Sequence, residues 1–288
     1  MKIPDLLTAK QTLSFEFFPP KHQSNLADVL SVIEDFKVLN PDFISITFGA
    51  GGSTVGKSED LAIKAQKDIG LNVMSHLTIT NQSVEQIDKF LNHVAQEGVQ
   101  NILALRGDLP QMTGASSEKR GAFQYARELI QHIVTHLDVA IGAACYPEGH
   151  PESPDLEADI AHTKNKVDAG AQFLVTQLFF DNNDYYRFLE RASRAGISVP
   201  VVAGIMPILD ASQARRFAAR CGAKIPPKLN EGLEKYGYDS AAVQEFGVEY
   251  TTTQLQDLWT NNVPGVHFYT LNRTYSVTKV LRNLNLAD

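Results

Sequence analysis

The sequence predicts an α/β protein, a single (β/α)8 TIM barrel over residues 1–288, and three observations predict it. Eight short apolar runs rich in β-formers recur along the chain. A helix-compatible stretch follows each of them. The units number eight, where an open doubly wound sheet would have six or seven. The runs cover residues 13–18, 43–48, 73–79, 102–105, 139–146, 173–180, 199–205 and 266–271.

In the first run Leu13, Phe15 and Phe17 share one parity, and Ser14, Glu16 and Phe18 share the other. A strand therefore turns Glu16 away from Phe15 and Phe17. Pro19 and Pro20 cannot continue a ladder, so Glu16 belongs near the C-terminal end of its strand. In the second run Ile44, Ile46 and Phe48 oppose Ser45 and Thr47; in the fifth, Ile141, Ala143 and Cys145 oppose Gly142, Ala144 and Tyr146. Bulky residues outward against helices, with smaller or polar ones inward, is barrel patterning. Residues 26–39 carry Leu26, Val29, Leu30, Ile33 and Phe36 at helical spacing, and residues 84–94 carry Val84, Ile87, Phe90, Leu91 and Val94. Ser83, with Glu85 and Gln86 behind it, suits a helix start. The interval 207–264, between the last two strands, is the longest. It is expected to hold two or three extra helices and a variable loop around residues 230–240.

Hydrophobic residues make up 43% of the chain, enough for a sizeable core and against disorder. A net charge of −7 argues against a nucleic-acid partner, while leaving room for a local basic pocket that takes phosphates. Cys145 and Cys221 have no metal-ligand spacing and look like reduced intracellular thiols. The N-terminus lacks the apolar core of a signal peptide, and no apolar run reaches membrane-spanning length. The expectation is a cytoplasmic protein with no membrane partner. A homo-oligomer is compatible with the sequence.

In a barrel of this kind chemistry sits at the C-terminal strand ends. Those ends supply Glu16, Thr47 with the glycines at 49–52, His76, Arg106-Gly107-Asp108, Tyr146 with Glu148 and His150, Gln177, Met206-Pro207, and Asn272-Arg273. Ordinary structural roles exist for most of them. Glu16 can end a strand in a salt bridge, and His76 alone is most simply a core histidine on a backbone carbonyl. Asp108 before Leu109-Pro110 is common turn chemistry. Lys164 and Lys166 are by default solvated helix residues. Gln177 within an apolar run resists such a reading, because a buried amide must find partners. A carboxyl among phenyl rings favours its neutral form, which is how a general acid stays protonated near neutral pH.

Residues 51–58 satisfy the phosphate-loop pattern G-x-x-x-x-G-K-S between a strand and a helix. A nucleotide hydrolase is nonetheless the weaker reading: no second acidic strand end is marked for magnesium, and the polar ends of seven other strands would be idle. The dinucleotide fingerprint fails, with Thr54 in place of its third glycine. A metal-dependent barrel enzyme on His76, Asp108 and Glu16 lacks a His-x-His on the first strand. A Schiff-base aldolase lacks a strand-end lysine.

Seven linked motifs carry a resemblance: SFEFFPP at residues 14–20, TFGAGGST at 47–54, HLT at 76–78, LRGDLP at 105–110, YPEGHPE at 146–152, KVDAGA at 166–171 and FYTLNR at 268–273. Collinear over nearly the whole chain, they resemble the bacterial methylenetetrahydrofolate reductase family. The resemblance implies a barrel binding FAD at the strand C-termini, reduced by NADH or NADPH. In a ping-pong cycle it converts 5,10-methylenetetrahydrofolate to 5-methyltetrahydrofolate for methionine synthesis, with no metal. It implies Glu16 as the acid that protonates the leaving N10, and Asp108 as the acid beside flavin and pterin. Thr47, His76, Arg106, Gly107, Asp108, Tyr125, Ala126, Tyr146, His150, Asp159, His162 and Lys166 match FAD contacts, Arg106 and Lys166 being the cations for the pyrophosphate region. Gln177, Gln213, Phe217 and Arg273 match substrate positions, and Phe217 would offer an aromatic face to nicotinamide or folate. The chain departs from the family at His162 and Asn165, where Asn and a basic residue are usual. A phosphate or ribose contact is then weaker or remade by Lys164. Gly56-Lys57 is also less usual. With the sequence ending at Asp288, regulation by adenosylmethionine through a C-terminal domain is not expected.

Overall fold

The computed structural model describes residues 1–20, 22, 25–48, 55–107 and 121–287. Helix α1 (Ile3–Ala9) precedes β1 (Thr12–Phe17), α2 (Leu26–Lys37), β2 (Phe43–Ile46) and α3 (Val55–Lys64), which runs into a π-helical stretch, Ala65–Ile69. There follow β3 (Val73–Thr78), α4 (Val84–Gln96), β4 (Asn101–Leu105), α5 (Ala126–His136), β5 (Ala140–Cys145), α6 (Leu156–Asp168), β6 (Phe173–Thr176), α7 (Asn182–Arg194) and β7 (Val201–Ile205). Helices α8 (Ala211–Cys221), α9 (Pro227–Tyr236) and α10 (Ser240–Thr260) lead to β8 (Gly265–Tyr269) and α11 (Tyr275–Asn283). The eight strands pair in parallel in sequence order and close, β8 on β1. The (β/α)8 expectation holds, with all eight strands in their expected places.

The parity of β1 is realised. Phe15 and Phe17 face outward and pack on Phe36 of α2, with ring centroids 4.9 and 5.0 Å apart. Helix α4 begins with a reciprocal cap: Ser83 Oγ accepts from Gln86 N at 3.3 Å, and Gln86 Oε1 accepts from Ser83 N at 2.8 Å.

The barrel interior differs from the simple rule of small residues inside. Its lower half is filled by Phe43, Met74, Leu103, Phe173, Val175 and Val202, and α1 closes that end by adding Ile3 and Leu7. Ile3 and Leu7 are four apart, so they share one face of a seven-residue helix. Ile3 N donates to Asn101 Oδ1 at 2.8 Å, and Asn101 Nδ2 donates to Met1 O at 3.1 Å, tying the plug to β4. Gly142 makes room for the floor: a Cβ there would stand 2.6 Å from the Phe173 ring. The upper half of the interior, toward the strand C-termini, is polar.

The loop expected around residues 230–240 is a correction. Residues 227–236 form α9, because Pro227 suits a first helical turn and Leu229 and Leu233 bury one face. Its polar composition is that of the helix's outer side. Most strands are shorter than their apolar runs, β2 and β6 among them. β2 stops at Ile46 and β6 at Thr176, so Thr47 and Gln177 stand one residue past their strands. Among the described residues no helix is long and apolar enough to cross a membrane. Cys145 and Cys221 are not joined in a disulfide, and Cys145 is buried.

Candidate active site

Glu16 is 6% exposed and sits at the top of the barrel interior. Its neighbours are not the phenyl rings beside it in sequence, which point to the other face of β1. That corrects the aromatic environment expected for it. Its Oε2 lies 3.6 Å from His76 Nε2 and 3.7 Å from His267 Nε2, a carboxyl between two imidazoles. Tyr269, its register partner on β8, donates its hydroxyl to Thr176 O at 2.5 Å. Burial, then the charge of Glu16, pushes the Tyr269 phenol well above its ordinary range.

The two histidines differ. His267 is 1% exposed and spans Ser14 Oγ at 2.8 Å on Nδ1 and Ser45 Oγ at 3.1 Å on Nε2. Ser14 Oγ donates to Val266 O at 3.2 Å, so its one hydrogen is used and Nδ1 of His267 donates to it. Nε2 then accepts from Ser45. The ring is a satisfied interior histidine, stacked on Phe43 at 6.0 Å and 11°. His76 is also 6% exposed, but its buried Nε2 has no hydrogen-bond partner among the described residues. No backbone carbonyl of the described residues meets that nitrogen.

Burial first, opposed by Glu16 and aided by His267, lowers the His76 pKa from 6.5 to about 4. The unfolded chain therefore binds a proton near pH 6.5 that the folded chain refuses until about pH 4. Stability from this site is complete above pH 6.5 and lost as pH falls toward 4, by about 3 kcal/mol in all. In urea unfolding between pH 7 and 4.5, the wild type is expected to lose about 2 kcal/mol more than His76→Gln. Parallel curves would show that His76 does not set this slope.

On one side of this centre lie the exits of β4 and β5. Arg106 forms a two-pronged pair with Glu152, NH1 to Oε2 at 2.7 Å and NH2 to Oε1 at 2.8 Å. Asp159 on α6 shapes the loop between: its Oδ1 accepts from His150 N at 3.1 Å and Ser153 Oγ at 3.0 Å. The Tyr146 and His150 rings meet edge to face at 4.6 Å. Burial, then Arg106, lowers the His150 pKa. Lys166 is not solvated as its helix position suggested. Its ammonium turns inward to the Ala144 carbonyl at 2.5 Å, and burial lowers its pKa. His162, one turn before it, is exposed. Tyr125 and Ala126 open α5, with the Tyr125 ring outward and Arg127 5.5 Å above it. A cavity of about 300 Å³ in the β5–α6 loop is lined by Glu148, His150, Pro151, Ser153 and Leu156, with Gly222 opposite.

On the other side, Gln213 and Phe217 lie four apart on α8 and are half-buried. Phe217 packs with Tyr269 and Leu271 onto the cluster of Leu178, Met206 and Ala214. Gln177 is half-buried, its Oε1 accepting from Leu178 N at 2.8 Å. It is therefore a rim residue and not the mid-strand amide the longer run suggested. Arg273 is exposed just past β8, and Thr47 is half-buried just past β2. Gly107 is described, at φ 85°. Asp108 and residues 49–54, with the first half of the phosphate-loop pattern, lie outside the described residues.

His267 and Glu152 were missed by sequence reasoning. The signal for His267 was its parity: it shares the inward face of β8 with Tyr269. The partner of Glu152 is 46 positions away, and nothing local marks it.

Among the described residues no three His, Cys, Asp or Glu side chains converge as metal ligands. The donor set does fit a flavin dinucleotide. Arg106 supplies a cation at the cavity side, Tyr146 and His150 supply rings, and His76 brings an unpartnered buried nitrogen to the strand tips.

The chain matches the family profile of methylenetetrahydrofolate reductase over residues 2–285. It is 34% identical over 262 residues to 5,10-methylenetetrahydrofolate reductase of Escherichia coli, covering 91% of this chain and 86% of that protein. It is 36% identical over 299 residues to methylenetetrahydrofolate reductase (NADH) 1 of Arabidopsis thaliana, covering 100% of this chain and 50% of that one. The chain thus spans about half the length of the plant and yeast relatives it matches. Among solved structures, a Clostridium thermocellum protein that binds 5-methyl-5,6,7,8-tetrahydrofolic acid shares the fold at TM-score 0.63 and 14% identity, over 98% of this chain and 97% of that one.

Proposed function

Because the chain belongs to the methylenetetrahydrofolate reductase family, we propose that it reduces 5,10-methylenetetrahydrofolate to 5-methyltetrahydrofolate, using NADH or NADPH. FAD, when bound, supplies the two-step transfer of hydride from nicotinamide to folate. The observation that carries the reading is the position of Glu16: a buried carboxyl at the strand tips, set between the His76 and His267 imidazoles and, among the described residues, paired with no lysine or arginine.

Glu16 gives its proton to N10 of the folate as the bond from N10 to the bridging carbon breaks. The electron pair stays on N10, and the bridging carbon becomes an N5 iminium that can accept hydride. His76, held neutral by burial, adds no positive charge beside that carbon. Phe217 and Gln213 on α8, with Gln177 and Arg273 at the rim, orient the folate, apolar ring against apolar wall and polar edge against amide. Asp108 belongs beside flavin and pterin by its place in the family motif. Arg106, Tyr146, His150, Asp159 and Lys166 shape the side that takes the dinucleotide; Thr47, Gly107, Tyr125, Ala126 and His162 complete it. The product would feed methionine synthesis in the cytoplasm.

The test is direct. Purified protein is expected to be yellow. Without oxygen NADH should bleach it, and methylenetetrahydrofolate should then restore the colour. Protein that stays colourless when supplied with FAD overturns the reading.

A further inference from the structure

Strands β1 and β8 make their last rung at Glu16 and Tyr269. Neither strand can extend the ladder. Pro19 and Pro20 follow on β1, and beyond β8 Leu271 and Asn272 both turn left-handed, at φ 54° and 56°. Two successive non-glycine residues in that region are uncommon, and a leucine there is strained.

Side chains hold the turn. Thr270 Oγ1 donates to the Glu16 carbonyl at 2.5 Å and accepts from Asn272 N at 3.1 Å. Asn272 Oδ1 accepts from Phe18 N at 2.9 Å, and its Nδ2 donates to Phe18 O at 3.0 Å. One amide thus meets both polar groups of Phe18, which a continued parallel ladder would have shared between two residues of β8. Arg273 N donates to Thr270 O at 3.0 Å, so the same turn launches Arg273.

We propose that Asn272, with Thr270, is a positioning residue for Glu16. The turn fixes the backbone at the acid's own carbonyl and again two residues beyond. The backbone that carries the carboxyl is thereby held immediately on its C-terminal side, and the strained pair Leu271-Asn272 is retained because an ordinary turn would not bring the amide to Phe18. The inference rests on the proposed reductase reading, in which Glu16 is the proton donor.

Both half-reactions of the holoenzyme are followed by anaerobic stopped flow. Asn272→Gly keeps the left-handed backbone accessible and deletes both bonds to Phe18. Thr270→Val deletes the hydroxyl and Thr270→Ser keeps it. Bleaching by NADH should stay within about twofold in all three, while the folate step slows about 20-fold in Asn272→Gly and Thr270→Val. The loss should appear in the limiting rate and not in the folate concentration needed, and Thr270→Ser should restore it. An unchanged folate step, or equal slowing of both steps together with loss of FAD, overturns the proposal. If the wild type itself binds no FAD and reduces no folate, the reductase reading fails separately. The clamp is then decided by carboxyl NMR of labelled glutamate: a titration midpoint of Glu16 displaced by Asn272→Gly supports it, and an identical midpoint overturns it.

Discussion

Glu16→Gln is expected to slow the folate half-reaction by about 10²- to 10⁴-fold, the range that a positioned general acid supplies. Flavin reduction by NADH should remain within about twofold, because hydride leaves the nicotinamide without a proton being delivered to it. The amide is nearly isosteric and can still meet the polar surroundings of Tyr269 and the two imidazoles. Folding and FAD binding should therefore persist, and the visible spectrum checks both. The decisive measurement is the ratio of the two single-turnover rates. An equal fall in both would make Glu16 a structural or binding residue and remove the proton donor from the mechanism.

Phe173→Ala is expected to destabilise the protein by about 3–5 kcal/mol, the usual range for truncating a buried phenylalanine. Phe173 is fully buried in the lower barrel, among Phe43, Leu103, Val202 and the plug residue Ile3. Its neighbour Gly142 has no side chain to move into the space, so the cavity should stay open. Thermal unfolding should show a midpoint lower by about 10 °C. The converse change, Gly142→Ala, drives a methyl group to 2.6 Å from the same ring and should itself cost about 1–3 kcal/mol. Phe173→Leu together with Gly142→Ala should cost less than the two losses added, since the smaller side chain relieves the clash. A loss below about 1 kcal/mol for Phe173→Ala would mean that the floor is not a close-packed layer.

Much of the barrel was legible because strand and helix periodicities are local and repeat eight times. Glu16 was legible in direction, since parity sends it inward, but not in surroundings. Phe15 and Phe17 are its neighbours along the chain and yet lie across the strand, while His76 and His267 come from 60 and 251 positions away. The helix α1 escaped notice because seven residues hold too little periodicity to register, and its purpose shows only when Ile3 meets Phe173. Residues 227–236 looked like a loop because the polar half of an amphipathic helix has the composition of one. Lys166 looked solvated because nothing local says that a carbonyl of β5 lies beneath it. Gln177 looked buried in a strand because the apolar run continues past the last ladder rung into residues that pack on α8 to α10. Pairings between distant strands and loops, such as Arg106 with Glu152, have no sequence-local signature at all.

The plug formed by α1 makes this barrel a cup with a sealed base. Whatever reaches Glu16 must come in over the lip and depart the same way. If two reagents must both meet the carboxyl at the mouth of one cup, they have to take turns, so the proposed alternation would follow from the shape of the vessel even before any chemistry chose it.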